Sequence, residues 1–292
     1  MTGVGHFRSE AARAHFDAAY EAAMAVLPDR ESRDVPTTFG DVRVYRFDGP
    51  DGRPVVLLPG RNASTPMWAA NLPGLLAHRT VHCVDLLGEP GRSRQRRPVT
   101  GAADQARWLD DLLAGLDLDS AHVLGVSFGG WSAVNLAVRH PRRVASLTLL
   151  DPVLVFGPIP VRTMVAVVPV SLPGAPEWLR RRILRWIAGG ADVDDSDPVA
   201  RLVEAGSVDF VLSQPHPTRF TADELRGMDV PLLALLAGRS VIHDARRAAV
   251  EAREVLRHGE VELWDDASHA INGEFPERIA ERACRFWDRV DG

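Results

Sequence analysis

The sequence predicts an α/β fold: a mostly parallel central sheet flanked by helices, with an inserted helical cap. Three observations lead there. Short β-rich apolar runs alternate with helical patterns, the runs near 55 and 121 are unbroken, and the alternation lapses between about 153 and 228. Strand and helix in alternation make βαβ units and so parallel pairing. Unbroken apolar strands belong to a sheet covered on both faces. The 292 residues, 46% hydrophobic and 25% charged, can build one substantial core and exclude a disordered or fibrous chain.

Taken in order, residues 9 to 27 place Ala12, Phe16, Ala19, Tyr20, Ala23 and Leu27 at helical spacing, closed by Pro28. Strands are expected at Val42 to Phe47, Val55 to Leu58, Val81 to Val84, Ala121 to Gly125 and Ser146 to Leu150. Helical patterns occupy Ala103 to Leu116 and Trp131 to Arg139. From 153 to 228 prolines, the basic run Leu179 to Trp186 and the acidic run Asp192 to Asp197 take over, which reads as the cap. The strand Pro231 to Ala237, the helix Asp244 to Arg257, the strand Val261 to Trp264 and the helix Pro276 to Val290 complete the chain. The expected division is an N-terminal helix at 1–35, a core at 36–152 and 229–292, and the cap at 153–228.

Composition removes several chemistries. A net charge of -5 offers no global positive field for nucleic acid or an anionic membrane. All 34 basic residues are arginine, so lysine Schiff bases, PLP attachment and lysine-bearing phosphate loops are excluded. Cys83 and Cys284 lie far apart in apolar surroundings and are expected as buried thiols. The N-terminus lacks the apolar stretch of a secretory signal, and the apolar window Val153 to Pro173 is broken by four prolines. A soluble, cytoplasmic protein with no membrane association is expected.

The strongest chemical signal is Gly125-Val126-Ser127-Phe128-Gly129, directly after one expected strand and before a helix. Strand, sharp turn and helix form the context of a nucleophile elbow: small flanking residues permit the turn, which lifts the Ser127 hydroxyl and aims the first helical N–H groups at it. A serine hydroxyl needs a base to act near neutral pH.

From about residue 40 to the end, apart from the cap, the sequence resembles the α/β-hydrolase family. The resemblance rests on this elbow, on Leu57-Leu58-Pro59-Gly60-Arg61-Asn62-Ala63-Ser64 with Trp68 following, on Asp85-Leu86-Leu87-Gly88-Glu89-Pro90-Gly91-Arg92-Ser93, and on Ser268-His269-Ala270. Pro59 stands where the family more often has histidine. The resemblance implies that the backbone N–H groups of Arg61 and Phe128 form an oxyanion hole. It also implies His269 as the base, the one histidine of ten in the loop after the last strand.

The family's acid usually follows the strand before Gly238-Arg239-Ser240, where this chain has no carboxylate until Asp244. Asp151, at the end of another expected strand, is the alternative position used by some relatives. Both preserve the order Ser, Asp, His; Asp151 is favoured because a strand end is a rigid platform at the sheet edge where ligands bind, and Asp244 is the alternative. A turn cap and a helix N-cap are their respective structural explanations. Asp265 and Asp266 read as solvated turn residues, His78 and His82 as structural or solvent-facing, and His243 as a loop residue near the centre. Asp192, Asp194, Asp195 and Asp197 lack the glycine and distal glutamate of a calcium loop.

Apolar cap residues including Phe156, Met164 and Trp178 would roof the serine and suit a hydrophobic acyl or alkyl group, or else form the cap's own core. The expected function is hydrolysis of a small hydrophobic carboxylic ester, lactone or thioester, with no metal or organic cofactor. A C–C bond hydrolase or acyltransferase would use the same triad, and a non-catalytic ligand-binding protein on this fold is the rival from another class.

Overall fold

The computed structural model describes residues 3–171, 177–187, 189, 197–214 and 216–292. The first half of the chain runs β1 (His6–Phe7), α1 (Glu10–Met24), β2 (Glu31–Thr37), β3 (Gly40–Phe47), β4 (Val55–Leu58), α2 (Leu72–Leu76), β5 (Val81–Val84), β6 (Arg94–Gln95), α3 (Ala102–Gly115), β7 (Ala121–Val126), α4 (Phe128–Arg139) and β8 (Val144–Leu150). Then come α5 (Val161–Ser171), α6 (Glu177–Ile187), α7 (Pro198–Asp209), β9 (Phe210–Val211), α8 (Ala222–Arg226), β10 (Leu232–Ala237), α9 (Ala245–Val255), β11 (Gly259–Trp264), α10 (Ile271–Glu274) and α11 (Pro276–Asp291).

The main sheet has the order β11-β10-β8-β7-β4-β5-β3-β2, with β6 added to β3. From β5 to β11 the pairing is parallel, while β2, β3 and β6 join antiparallel at one edge. The parallel strands alternate their side chains between two cores. Val56, Leu58, Leu232, Ala234 and Leu236 face the cluster shared with α3, α4 and α9. Val55, Leu57, Leu233, Leu235 and Ala237 face the cluster shared with α1, α2 and α11. Both faces are thus covered, which is why these strands read as continuous apolar runs.

Three boundaries differ from expectation. β2 begins at Glu31 and pairs with β3, so the sheet starts before residue 36; its charged sequence and Pro36 suit an edge strand and hide it from apolar pattern reading. Within 153–228, Val155 and Phe156 at one end and Phe220, Leu225 and Met228 at the other are buried in the main cluster. β9 pairs with β1, and Arg8 donates to Asp209, tying the N-terminus to α7. Asp192, Asp194 and Asp195 lie outside the described residues.

The segment from α5 to α7 touches the loops at the C-terminal ends of the sheet strands. The Thr163 hydroxyl donates to Val241 O, and Arg239 Nη2 donates to Gly189 O at 2.9 Å. A methyl group on Gly206 would come within 2.7 Å of Asn62 O. Both cysteines are buried and unpaired. Among the described residues, no helix is long and apolar enough to cross a membrane.

Candidate active site

Ser127 occupies the turn between β7 and α4 with φ 53° and ψ -115°, a conformation that L residues rarely hold without support. The support is local. Ser127 N–H donates to Leu150 O at the end of β8, and Ser127 O accepts from Trp131 N–H. The flanking glycines are required by close approach: a methyl on Gly129 would sit 2.0 Å from Leu58 O, and one on Gly125 would sit 2.4 Å from Gly129 O. The elbow therefore packs directly against the end of β4 and the loop that follows it.

His269, in the loop after β11, places Nε2 3.0 Å from Ser127 Oγ and Nδ1 2.7 Å from Asp151 Oδ2. Asp151 follows β8 with φ 44° and is fully buried. Its Oδ1 accepts from Ala237 N–H at 3.0 Å and its Oδ2 from the Ser240 hydroxyl at 2.7 Å. His243 adds Nε2 at 2.9 Å from Oδ1. Burial raises the carboxyl pKa, but the facing imidazoles of His243 and His269 outweigh it and hold Asp151 below the usual carboxylate range. The buried group is therefore an anion facing His269.

Asp244, the alternative acid, is exposed and bonds to neither Asp151 nor His269; it N-caps α9, accepting from Arg247 N–H at 3.1 Å. A one-residue difference in chain position decides the matter: His243 turns inward to Asp151 and its neighbour turns out to the helix end. Asp265 and Asp266 are exposed, as expected of turn residues. His78 is exposed, whereas His82 is buried in β5.

The loop after β4 lies beside the serine, since a methyl on Gly60 would be 3.6 Å from Ser127 Cβ. Phe128 opens α4, and among the described residues neither its N–H nor that of Arg61 has an acceptor. The next residue, Asn62, holds φ 57° and donates its N–H to the buried Glu89 carboxylate at 3.0 Å. Arg61 lays its guanidinium over the Phe128 ring at 4.5 Å. These contacts fix the path of the loop.

Of the three expected substrate contacts, Phe156 is fully buried and packs in the main core. Met164 on α5 is 46% exposed and Trp178 on α6 is 65% exposed, so neither belongs to a closed cap core. Sequence reasoning missed that Ser240 and His243 both reach Asp151; their signal was position, three residues apart in the loop after β10.

A second Ser–His–Asp alignment shows why reach matters. His122 Nδ1 is 2.8 Å from Ser146 Oγ and its Nε2 is 3.1 Å from Asp291 Oδ2, but Ser146 and His122 are wholly buried. That cluster ties the end of α11 to β7 and β8, with Trp287 stacked on the imidazole.

Comparison with known proteins agrees with this architecture. The alpha/beta hydrolase fold model matches residues 53–186. The chain is 27% identical over 280 residues to "Uncharacterized carboxylesterase nap" of Bacillus subtilis, covering 94% of this chain and 92% of the relative. It is 26% identical to 2-hydroxymuconate semialdehyde hydrolase of Pseudomonas putida, covering 85% and 92%. The crystal structure of naproxen esterase (carboxylesterase NP) from Bacillus subtilis superposes with a TM-score of 0.86 at 27% identity, covering 94% of this chain and 98% of that one. With a strand–elbow–helix at Ser127, a mostly parallel sheet beneath it and these relatives along nearly its whole length, the chain has the α/β-hydrolase fold.

Proposed function

We propose that the protein is a serine hydrolase that cleaves a small carboxylic ester, lactone or thioester through an acyl-enzyme on Ser127. The observation that carries the reading is the unbroken contact run from Ser127 Oγ through His269 to the buried Asp151 carboxylate, at 3.0 and 2.7 Å. The carboxylesterase names of relatives spanning nearly the whole chain support the ester as substrate class.

In this mechanism His269 Nε2 takes the Ser127 proton as Oγ attacks the carbonyl carbon, and Asp151 holds Nδ1–H and offsets the imidazolium. The carbonyl oxygen gains the electron pair of the C=O bond. The N–H groups of Arg61 and Phe128 stabilise that oxyanion; loss of one such donor typically costs about 100 to 1,000-fold in rate. Collapse expels the alcohol, which leaves with the proton from His269. Water, deprotonated by His269, then repeats the cycle and releases the acid and free Ser127.

The segment 153–228 acts as a cap in this reading, because α5 and α7 reach the loops around the serine. Met164, half-exposed on α5 next to Thr163, is kept as the candidate apolar contact for a hydrophobic acyl or alkyl group. The semialdehyde hydrolase among the relatives supports including C–C bond substrates in any assay.

The test is intact-mass analysis after fluorophosphonate treatment, beside Ser127→Ala, followed by an ester, thioester, lactone and C–C substrate panel. One adduct on the native protein, absent from the variant, is expected, with turnover in the ester arm. An unlabelled native protein would favour a ligand-binding role, and turnover confined to the C–C arm would move the substrate class.

A further inference from the structure

Two imidazoles face the one buried carboxylate. His269 meets Asp151 Oδ2, while His243, only 2% exposed, brings Nε2 to 2.9 Å from Oδ1. The distance is short, yet neither ring nitrogen of His243 is aligned on an acceptor among the described residues. The contact is therefore one of charge and proximity rather than of a directed hydrogen bond.

That charge answers a local need. Asp151 is an anion with no exposure, and the donors Ala237 N–H and Ser240 Oγ solvate it without neutralising it. The charged groups that act on His243 are Asp151 from the end of β8 and Asp244 from the N-terminus of α9. The Ser240 hydroxyl, from the same loop, donates to the same carboxylate, and Thr163 of α5 donates to Val241 O. Burial opposes protonation of His243, and the two carboxylates overcome it, so its pKa stands above the ordinary histidine value.

We propose that His243 is a positioning residue for the reaction: its imidazolium pairs with Asp151 Oδ1, holds the carboxylate with Oδ2 turned to His269, and shares that carboxylate's charge with His269. The inference rests on the reading of Ser127, His269 and Asp151 as a triad. Two imidazoles on one carboxylate titrate as a coupled pair, so a proton on His243 disfavours one on His269. Glutamine at 243 keeps an amide donor and removes the charge. The acidic limb of kcat/KM should then move to higher pH, because His269 becomes easier to protonate.

The experiment is a histidine Cε1-proton NMR titration of the native protein and His243→Gln, with kcat/KM against pH for a nitrophenyl ester measured in parallel. The native His243 resonance is expected to titrate above the ordinary value. In the variant, the His269 titration and the acidic limb should move together to higher pH. A native His243 that titrates at or below the ordinary value, or a His269 titration unmoved in a folded His243→Gln, would overturn the proposal. His243→Asn serves as the second variant if glutamine unfolds the protein. NMR shifts as expected without turnover of any substrate would leave the pairing standing and defeat the hydrolase reading. Turnover without the shifts would do the reverse.

Discussion

Replacing Asp151 by asparagine changes one atom and should stop the proposed chemistry. Asp151 Oδ1 accepts from Ala237 N–H, so the asparagine oxygen is retained there and its NH2 group falls at the Oδ2 position. That position faces His269 Nδ1 at 2.7 Å and the Ser240 hydroxyl at 2.7 Å. Nδ1 must then accept rather than donate, which moves the imidazole proton to Nε2 and leaves no lone pair for Ser127. The lost charge also matters. A carboxylate and an imidazolium about 4 Å apart at an effective dielectric of about 20 attract by about 4 kcal/mol, or roughly 1,000-fold in rate. With the wrong tautomer added, kcat should fall by about 10,000-fold. The assay is steady-state hydrolysis of a nitrophenyl ester, with circular dichroism to confirm folding. Asp244→Ala is the control: it removes a helix N-cap, should cost about 1 kcal/mol of stability, and should leave kcat within about threefold. Asp151→Asn retaining kcat within tenfold of the native enzyme, or Asp244→Ala losing as much as Asp151→Asn, would refute the assignment of the acid.

Two further predictions follow from packing and burial. Gly129→Ala puts a methyl 2.0 Å from Leu58 O and 2.5 Å from Pro59 O, both backbone atoms that cannot rotate away. It should destabilise the fold by about 1–3 kcal/mol in urea unfolding and lower activity by displacing the loop that carries Arg61; an unchanged midpoint would contradict the close packing of the elbow. His82, whose pKa burial and the nearby Arg46 push down to about 4, stays neutral in the folded protein. Below the ordinary histidine value the unfolded chain binds a proton that the folded one refuses, so stability falls as pH drops from about 6.5 to about 4, by up to about 3 kcal/mol. His82→Leu should flatten that slope in urea titrations at several pH values, and an identical slope in both proteins would show that His82 is not its source.

Much of the core was legible because the sheet is buried on both faces. Val55–Leu58 and Val81–Val84 read as strands with the bounds they have in the structure, since four apolar or buried residues in a row between turn signals leave little else to be. The Ser127 elbow was legible because a strained turn between a strand and a helix demands small neighbours that a sequence displays. β2 was not, because an edge strand needs no apolar run and this one carries charge and a proline. Phe156 was legible only in part for a related reason: an apolar residue announces burial but not which surface buries it, and its partners belong to the main core.

The sequence by itself determined the alternation of strand and helix, the absence of lysine chemistry, the serine on its elbow and the histidine in the loop after the last strand. These are local facts, set by periodicity, turn chemistry and composition. Tertiary structure alone decided which carboxylate meets His269. Asp151 and Asp244 both stand in suitable chain order, but β8 lies between β7 and β10 in the sheet. The residue after β8 is therefore brought to Ala237, Ser240 and His243 at the end of β10, and so to His269. Residues 86 to 118 positions apart become hydrogen-bond partners only when the sheet has set its strand order, and no local pattern in the chain encodes that distance.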